Sequence, residues 1–244
     1  MIFARMFRSF RFWICPLFLL VLSLACYQRP IDNLDRYIYE GIVRERTQSV
    51  ESAYDIVKHE SPRAEASLVL NSPQHLQEVE PMYTIRPIYL RLIALMGTLL
   101  PFQRAITFIS AASLFGLGAV VLMWTNRPLE CALLMAAYPV LTLGRLGTPD
   151  ALAALFSVSA LWLIDSYGWR FLPLVLLFVS LGVRTDNVLL LVAMLAWLAW
   201  ERRLPSYLAG LLAVIALSVV LGINHWAHNY GWIVLFRCSF LGGG

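Results

Sequence analysis

Residues 105–124 read AITFISAASLFGLGAVVLMW, a stretch of the chain without Asp, Glu, Lys or Arg. An α-helix needs about 20 consecutive apolar residues to cross the hydrocarbon core of a bilayer. Other apolar runs lie on both sides of this stretch, at 12–27, 88–100, 129–143, 151–164, 171–183, 187–200 and 207–224. The sequence therefore predicts an all-α fold, a polytopic bundle of transmembrane helices.

The composition of the chain agrees with this prediction. Of the 244 residues, 59% are hydrophobic and 14% are charged, and the mean hydropathy is +0.69. A soluble domain of ordinary composition has about 25% charged residues. The arginines that give the net charge of +4 are mostly single and dispersed at segment ends rather than gathered in a basic stripe. This spacing argues for membrane lipids, and against nucleic acid, as partners.

One segment, residues 28–87, departs from the apolar pattern. Ten of the fifteen carboxylates lie between Asp32 and Glu80. Apolar residues at helical spacing among charges predict one or two amphipathic helices at the membrane interface, with Ile38, Ile42, Ala53 and Val57 on their apolar faces. Residues 79–87 are predicted to return to the membrane as an extended segment.

The predicted domain organisation is a single membrane domain over residues 1–244. Its parts are a first transmembrane helix at 12–27, a large extracytoplasmic loop of interfacial helices at 28–87, six to seven further membrane segments at 88–224 and a tail at 225–244.

The first apolar run follows three arginines between residues 5 and 11. Ser23-Leu24-Ala25 resembles the cleavage site of a secretory signal, so this run is either a signal or a first transmembrane helix. The number of apolar runs that follow favours the helix. Arginines beside a first helix favour the cytoplasmic side, so the 28–87 loop is predicted to lie outside. The sequence therefore predicts an integral, multi-pass protein of the bacterial inner (plasma) membrane.

Two topologies remain open beyond residue 104. If every apolar segment crosses the membrane, Asp150 and Arg184 face the cytoplasm. If one segment between residues 105 and 143 does not cross, both residues face outward with the loop. The two topologies give the same division of arginines between the two sides, so the positive-inside rule does not choose between them.

The first candidate site residues are Asp32 and Asp35, just beyond the first helix. With a spacing of three, they lie on one face of a helix. A carboxylate at the membrane surface can act as a general base toward a hydroxyl or hold a divalent cation, the only cofactor that the sequence leaves open. The alternative is an N-cap and a charged first turn.

Two later turns also carry charge. Asp150 opens an apolar helix, for which Thr148 suits the N-cap and Pro149 the first position. Arg184 and Asp186 stand between two short apolar runs, and ionisable residues at membrane depth tend to be functional. The structural alternatives are helix capping for Asp150 and a local ion pair for Arg184.

Arg86 is the remaining candidate, in the segment Tyr83-Thr-Ile-Arg86-Pro-Ile-Tyr89. An interfacial arginine beside tyrosines can bind a lipid phosphate through two parallel hydrogen bonds. The alternative is a simple interfacial anchor. The four histidines show no metal-ligand spacing, so no metal site is predicted from them.

Four motifs, taken in order, resemble the GT-C superfamily of membrane glycosyltransferases. They are an Asp with nearby tyrosines after the first helix (the Asp35–Tyr39 motif), an Arg-Pro-aromatic return to the membrane (Arg86–Tyr89), an Asp after a small-residue turn (Arg145–Asp150) and a Gly-x-Arg-x-acid turn (Gly182–Asp186). The resemblance covers roughly residues 12–200.

The resemblance implies transfer of a sugar, of the hexosyl or mannosyl type, from a polyprenyl-phosphate donor to an acceptor hydroxyl at the outer face. Asp35, with Asp32 second, would be the catalytic base. Arg86 and Arg184 would hold the lipid phosphate, and Tyr39 would also bind substrate. Asp150 would line the same outward cavity, which favours the topology with one non-crossing segment. The motifs specify neither the sugar nor the acceptor.

Two alternatives remain at the level of sequence. The short runs around Arg184 and Asp186 also suit a transporter, which places paired charges and broken helices near the midplane. Family members are usually longer, so an inactive, truncated glycosyltransferase is the other alternative.

Overall fold

The computed structural model describes residues 10–60, 72–168 and 171–229. Over these residues it contains twelve α-helices, one short 3₁₀ helix and no strand, so the all-α prediction is confirmed. The chain divides into two compact units. The first unit comprises Met1–Arg36 and Arg91–Ser180, and the second comprises Tyr37–Leu90 and Leu181–Gly244.

The helices of the described residues follow the apolar runs closely. In chain order they are α1 (Phe10–Gln28), α2 (Leu34–Glu45), α3 (Val50–Glu60), α4 (Pro73–Thr84), α5 (Pro87–Gly97), α6 (Phe102–Thr125), α7 (Pro128–Ala136), α8 (Tyr138–Arg145), α9 (Asp150–Tyr167), α10 (Phe171–Val183), α11 (Val188–Trp200) and α12 (Ser206–Trp226), with the 3₁₀ helix Thr185–Asn187 before α11.

In the first unit, α1 and α6 pack antiparallel. Ser23 donates a hydrogen bond to the Ala111 carbonyl in the middle of the pair. Gly118 lets the two backbones approach, because a β-carbon there would lie 2.7 Å from the Leu19 Cδ2 atom. Small residues serve this purpose where membrane helices pack closely. The buried core around this contact contains Cys15, Leu19, Cys26, Ala111, Leu114, Leu117, Leu122, Cys131 and Met135.

The predicted segment 129–143 forms two helices, α7 and α8. Ala137 has an extended backbone (ψ 135°) between them, and Pro139 lies in the first turn of α8. Proline lacks an N–H, and its ring would clash with the carbonyl four residues earlier, at Met135, so an unbroken helix through this point is disfavoured. α7 and α8 together run from the Thr125 end of α6 back to the end of α1 at Gln28, and α9 then runs in the opposite direction.

In the second unit, the charged loop forms the helices α2, α3 and α4. The four residues predicted on amphipathic faces are all buried, with Ile38 at 1% exposure and Ile42, Ala53 and Val57 at 0%. Leu76 of α4 is also fully buried, and α3 packs on α4. The apolar spacing in this loop therefore reflects packing between its helices.

The prediction of an extended segment at 79–87 was wrong, because α4 continues to Thr84. The Ser72 side chain caps α4 by accepting a hydrogen bond from the His75 N–H at 3.3 Å, and Pro73 suits the first helical position. Pro81 removes one backbone hydrogen bond, a loss that the capped and packed helix tolerates. The chain turns only at Arg86, immediately before Pro87, where the helical conformation is disfavoured.

Three helices in the described chain are long and apolar enough to cross a membrane, namely α6, α9 and α12. Only 17% of the apolar window of α12 is buried, and Leu221 on this helix is 68% exposed. An apolar surface of this size must be covered by lipid or protein. The shorter apolar helices are Ile14–Gln28, Pro87–Gly97, Phe171–Val183 and Thr185–Trp200.

Candidate functional site

The first group of predicted site residues lies at the beginning of α2. The Asn33 side chain accepts a hydrogen bond from the Asp35 N–H at 3.2 Å, so Asn33 takes the capping role that had been considered for the aspartates. Asp35 lies in the first turn of α2, where the helix dipole favours a negative charge. Asp32 and Asp35 are both half-buried.

The Arg145–Asp150 motif packs against this segment in the first unit. The Ile31 N–H donates to the Arg145 carbonyl at 2.9 Å, and the Arg145 Nε donates to the Arg29 carbonyl at 2.8 Å. Residues 29–31 come directly after α1 and directly before Asp32. The structure therefore brings the Asp32/Asp35 segment and the Arg145–Asp150 motif, which are more than 100 residues apart in sequence, to the same end of the first unit.

Arg36 connects these two segments, although the sequence analysis did not select it. It is 7% exposed, and its Nη1 donates to the Ile31 carbonyl at 3.2 Å. A β-carbon on Gly147 would lie 2.6 Å from Arg36 Cγ, so the arginine stem lies directly on this glycine. Helical spacing could have indicated that Arg36 is buried, because it lies three residues before Tyr39 and seven before Val43, and both of these are buried.

α9 begins at Asp150, one residue later than predicted, because Pro149 takes the N-cap position and Thr148 does not cap the helix. The Thr148 hydroxyl lies 2.6 Å from Asp150 Oδ2 and donates to it. The Thr148 carbonyl accepts a hydrogen bond from Ser110 of α6 at 3.2 Å. These contacts hold the Asp150 carboxylate at the positive end of α9.

The second group of predicted residues lies in the second unit, around Arg86. The Arg86 guanidinium donates a hydrogen bond to the Tyr39 hydroxyl. Its central carbon lies 5.6 Å from the ring centroids of both Tyr39 and Tyr83, within the range of cation–π attraction. Tyr39 and Tyr89 are fully buried, whereas Arg86 is half-buried. The sequence placed Arg86 beside the tyrosines of its own segment, Tyr83 and Tyr89; the structure adds Tyr39 of α2 as its hydrogen-bond acceptor.

The Gly182–Asp186 motif packs against the Arg86–Tyr89 motif. A β-carbon on Gly182 would lie 2.5 Å from Ile88 Cδ1, two residues after Arg86. Arg184 Nε lies 2.8 Å from both carboxylate oxygens of Asp186, and the two side chains are 40% and 36% exposed. Arg184 thus forms the local ion pair that was its structural alternative, and it does so beside the segment that contains Arg86.

The four motifs therefore associate in two pairs, one in each unit. Asp35 and Tyr39 are four residues apart on α2, so they lie on the same face of that helix. Over the residues that the structure describes, no three His, Cys, Asp or Glu side chains form a metal-binding group.

A buried ion pair follows Tyr39 on α2. Arg44 Nη2 lies 2.6 Å from Glu40 Oε1, and Glu40 is fully buried. Arg44 also lies 3.9 Å from Glu60 at the end of α3. Partial desolvation, with 43% of the Glu60 side chain still exposed, and the nearby Glu40 carboxylate raise the pKa of Glu60 above its ordinary value, and Arg44 opposes this shift. Arg44 therefore interacts with two carboxylates, those of Glu40 and Glu60.

No family model matches this chain, and no curated protein or solved structure is significantly similar to it. Membership in the GT-C superfamily therefore stays a prediction based on the four motifs.

Proposed function

We propose that this chain is a multi-pass protein of the bacterial inner membrane that transfers a sugar from a polyprenyl-phosphate donor to an acceptor hydroxyl at the outer face. The observation that carries the proposal is the placement of Arg86 in the second unit, where its guanidinium donates to the Tyr39 hydroxyl and lies 5.6 Å from the Tyr83 ring centroid. A guanidinium held in this way is a candidate ligand for the donor phosphate. Asp35, in the first turn of α2, is the candidate base.

The path of the chain in the first unit supports an outward location of Asp150. Tyr27 lies near the end of α1. Its ring centroid is 6.3 Å from the Phe108 ring centroid and 5.4 Å from the central carbon of the Arg104 guanidinium. The chain therefore leaves α1 and enters α6 at the same end of this unit. α5, with 11 residues, is about 16 Å long, which is too short to cross the bilayer.

In the proposed topology, α5 is consequently the segment that does not cross. This topology differs from the one that the sequence left open, in which the non-crossing segment lies between residues 105 and 143. α6 then crosses inward, α7 and α8 together cross outward, and Asp150 lies outside with Asp32 and Asp35. The hydrogen bond between Ile31 and Arg145 supports this assignment, because it joins the two outward ends.

The proposed reaction exchanges one bond to the anomeric carbon for another. The acceptor oxygen forms a bond to this carbon, and its proton passes to the Asp35 carboxylate. The bond from the anomeric carbon to the phosphate oxygen breaks, and its electron pair stays on the phosphate. Arg86 stabilises the charge that develops there. Tyr39 positions Arg86 through their hydrogen bond.

The other predicted residues have supporting roles in this proposal. Asp32 and Asp150 line the acceptor side, where Asp150 is oriented by Thr148. Arg184 contributes positive charge beside the Arg86–Tyr89 motif, and its contribution is reduced by its pairing with Asp186.

The test measures the leaving group, so it needs no knowledge of the acceptor. Membranes containing the full chain are incubated with a panel of polyprenyl-phosphate hexoses, and the release of polyprenyl phosphate is followed. We expect release from one donor, and we expect Asp35→Asn to lower it by about 10²–10⁴-fold, the usual contribution of a general base.

Asp55→Asn is the matched control, since Asp55 is an exposed aspartate on the next helix, α3. This variant should release polyprenyl phosphate at the wild-type rate. Equal rates for the wild type and Asp35→Asn, with both proteins inserted in the membrane, would disprove the assignment of the base.

A further inference from the structure

The turn between α11 and α12 carries two adjacent arginines that the proposed reaction does not use. Its sequence is Trp200-Glu201-Arg202-Arg203-Leu204-Pro205. Both arginine residues are exposed, whereas Leu204 beside them is 2% exposed. The turn therefore combines a buried apolar anchor with two exposed cations.

The backbone of this turn is held by hydrogen bonds at the end of α11. The N–H groups of Arg203 and Leu204 both donate to the Leu198 carbonyl, at 2.9 and 3.2 Å, and the Arg202 N–H donates to the Ala199 carbonyl at 3.1 Å. A hydrogen bond from a backbone N–H to the carbonyl five residues earlier, followed by a buried apolar residue, is the pattern of a Schellman cap. The two arginine side chains consequently project from an ordered turn.

Arg202 occupies a backbone conformation that normally belongs to glycine. Its φ is +55°, and the only other non-glycine residues with positive φ in the described chain are Asn126 and His228. Asparagine and histidine enter this region several-fold more readily than most residues, whereas arginine has no such preference. An outlier of this kind points toward a functional role for its side chain.

Aromatic residues surround the two arginines. The Arg203 guanidinium lies 5.5 Å from the Trp197 ring centroid. Trp200 is 85% exposed and Tyr207 is 80% exposed, on the two helices that the turn connects. Tryptophan and tyrosine are enriched at the headgroup level of a membrane, and the apolar helices α11 and α12 extend away from the turn. The arginines are therefore expected at the depth of lipid phosphates.

We propose that the α11–α12 turn binds the anionic headgroup of a membrane phospholipid, with Arg202 and Arg203 as the phosphate ligands. Arginine suits this ligand because its planar donors match the oxygens of a phosphate. Glu201 in the same turn is exposed and leaves a net charge of +1. The turn consequently needs both arginines to prefer an anionic headgroup over a zwitterionic one. This site depends on membrane insertion but not on the proposed sugar transfer.

The test uses the full chain purified in dodecyl maltoside, with phosphatidylglycerol added in increasing mole fraction. Thermal unfolding is followed, and we expect phosphatidylglycerol to raise Tm and phosphatidylcholine to leave it unchanged. Each basic residue near an anionic surface changes binding by about fivefold. Arg202→Gly and Arg203→Gln should therefore each require about fivefold more phosphatidylglycerol for half of the rise in Tm.

Two features make the variants interpretable. Glycine adopts positive φ without strain, so Arg202→Gly removes the side chain while it preserves the turn. Arg127 is the matched control, because it is an exposed arginine in another turn and its charge is balanced by Glu130 at 3.5 Å. Arg127→Gln should respond to phosphatidylglycerol as the wild type does.

Three outcomes would overturn the proposal. They are an equal rise in Tm with phosphatidylcholine, an unchanged response of the Arg202→Gly/Arg203→Gln double variant, and reproduction of the rise by inorganic phosphate at the same concentration. The last outcome would assign the turn to a free anion instead of a lipid headgroup.

Discussion

The side chain of Arg36 lies on the α-carbon of Gly147. Arg36 is the third residue of α2, and Gly147, with φ +66°, lies in the turn before α9. A β-carbon on Gly147 would lie 2.6 Å from Arg36 Cγ and 2.7 Å from Arg36 Cδ. The Arg36 stem can lie here only because residue 147 has no β-carbon. This contact joins the Asp32/Asp35 segment to the turn that precedes Asp150.

Gly147→Ala should destabilise the protein for two physical reasons. Alanine is strained at positive φ, and its methyl group would clash with the Arg36 stem. We expect a loss of about 2–4 kcal/mol in the free energy of unfolding, measured by thermal or denaturant unfolding in detergent. Gly168→Ala is the control, because Gly168 has φ +74° but nothing lies within 4 Å of its added β-carbon. Its φ/ψ of +74°/−170° is a region that essentially only glycine enters, so it should lose about 1–3 kcal/mol from backbone strain alone.

A double-mutant cycle separates the clash from the backbone strain. In an Arg36→Ala background, Gly147→Ala should cost about 1–2 kcal/mol less than it does in the wild type, since the clashing atoms are gone. Strict additivity of the two substitutions would contradict the contact between Arg36 and Gly147.

Tyr39→Phe should destabilise the second unit by removing the acceptor for Arg86. The tyrosine ring is fully buried, and the hydrogen bond that it loses comes from a charged group. Such bonds contribute about 1.5–3 kcal/mol, so we expect a loss of this size in the free energy of unfolding. Tyr207→Phe, at a residue that is 80% exposed, should change it by less than about 0.5 kcal/mol. Equal effects of the two substitutions would contradict the role of the Tyr39 hydroxyl.

The raised pKa of Glu60 predicts a dependence of stability on pH. Because burial and the Glu40 carboxylate favour the neutral form of Glu60 in the folded protein, its pKa lies above the ordinary value of 4.5. Its stabilising contribution is therefore fully present below pH 4.5 and is lost as the pH rises through the raised pKa. Glu60→Gln should remove this part of the pH dependence and raise Tm at neutral pH.

The measurement is Tm at a series of pH values from acid to neutral for Glu60→Gln and for Glu78→Gln. Glu78 is a suitable control because its side chain is 69% exposed. A profile for Glu60→Gln that is parallel to the wild type over the whole range would show that Glu60 does not titrate in this way.

The proposed topology predicts which single cysteines can be labelled from each side. In a background where the native cysteines are alanine, Gln28→Cys and Leu146→Cys should react with a membrane-impermeant maleimide added outside intact cells. Asn126→Cys, at the opposite end of the first unit, should react only after the cells are opened. Labelling of Gln28→Cys and Leu146→Cys from different sides would refute the topology.

Much of the fold was predictable from the sequence because helix formation depends on local spacing. The apolar run at 105–124 corresponds to α6, and the spacing of Ile38, Ile42, Ala53 and Val57 identified the buried faces of α2 and α3. The prediction at 79–87 failed for a related reason. The cap at Ser72 and the burial of Leu76 stabilise α4 through Pro81, so the helix continues into the segment that was predicted to be extended.

The candidate site was predictable only in part. Asp35, Arg86 and Tyr39 were selected because carboxylates, arginines and tyrosines at a membrane surface have recognisable chemistry, and the bond from Arg86 to Tyr39 is present. Arg36 was missed, because a charged residue inside a charged loop is expected to be exposed. Its burial depends on Gly147, a residue that no local pattern associates with it.

The sequence by itself determined that this chain is helical and where most of its helices begin and end, because neighbouring residues decide helical periodicity, capping and proline breaks. Only the tertiary structure decided which motifs lie against each other. The Asp35–Tyr39 motif packs against Arg145–Asp150, and the Arg86–Tyr89 motif packs against Gly182–Asp186. The tertiary structure also decided that the helix after α5 starts beside Tyr27. Such pairings bring together residues that are far apart in the chain, and they form only when side-chain shapes such as Arg36 on Gly147 or Ile88 on Gly182 fit in three dimensions.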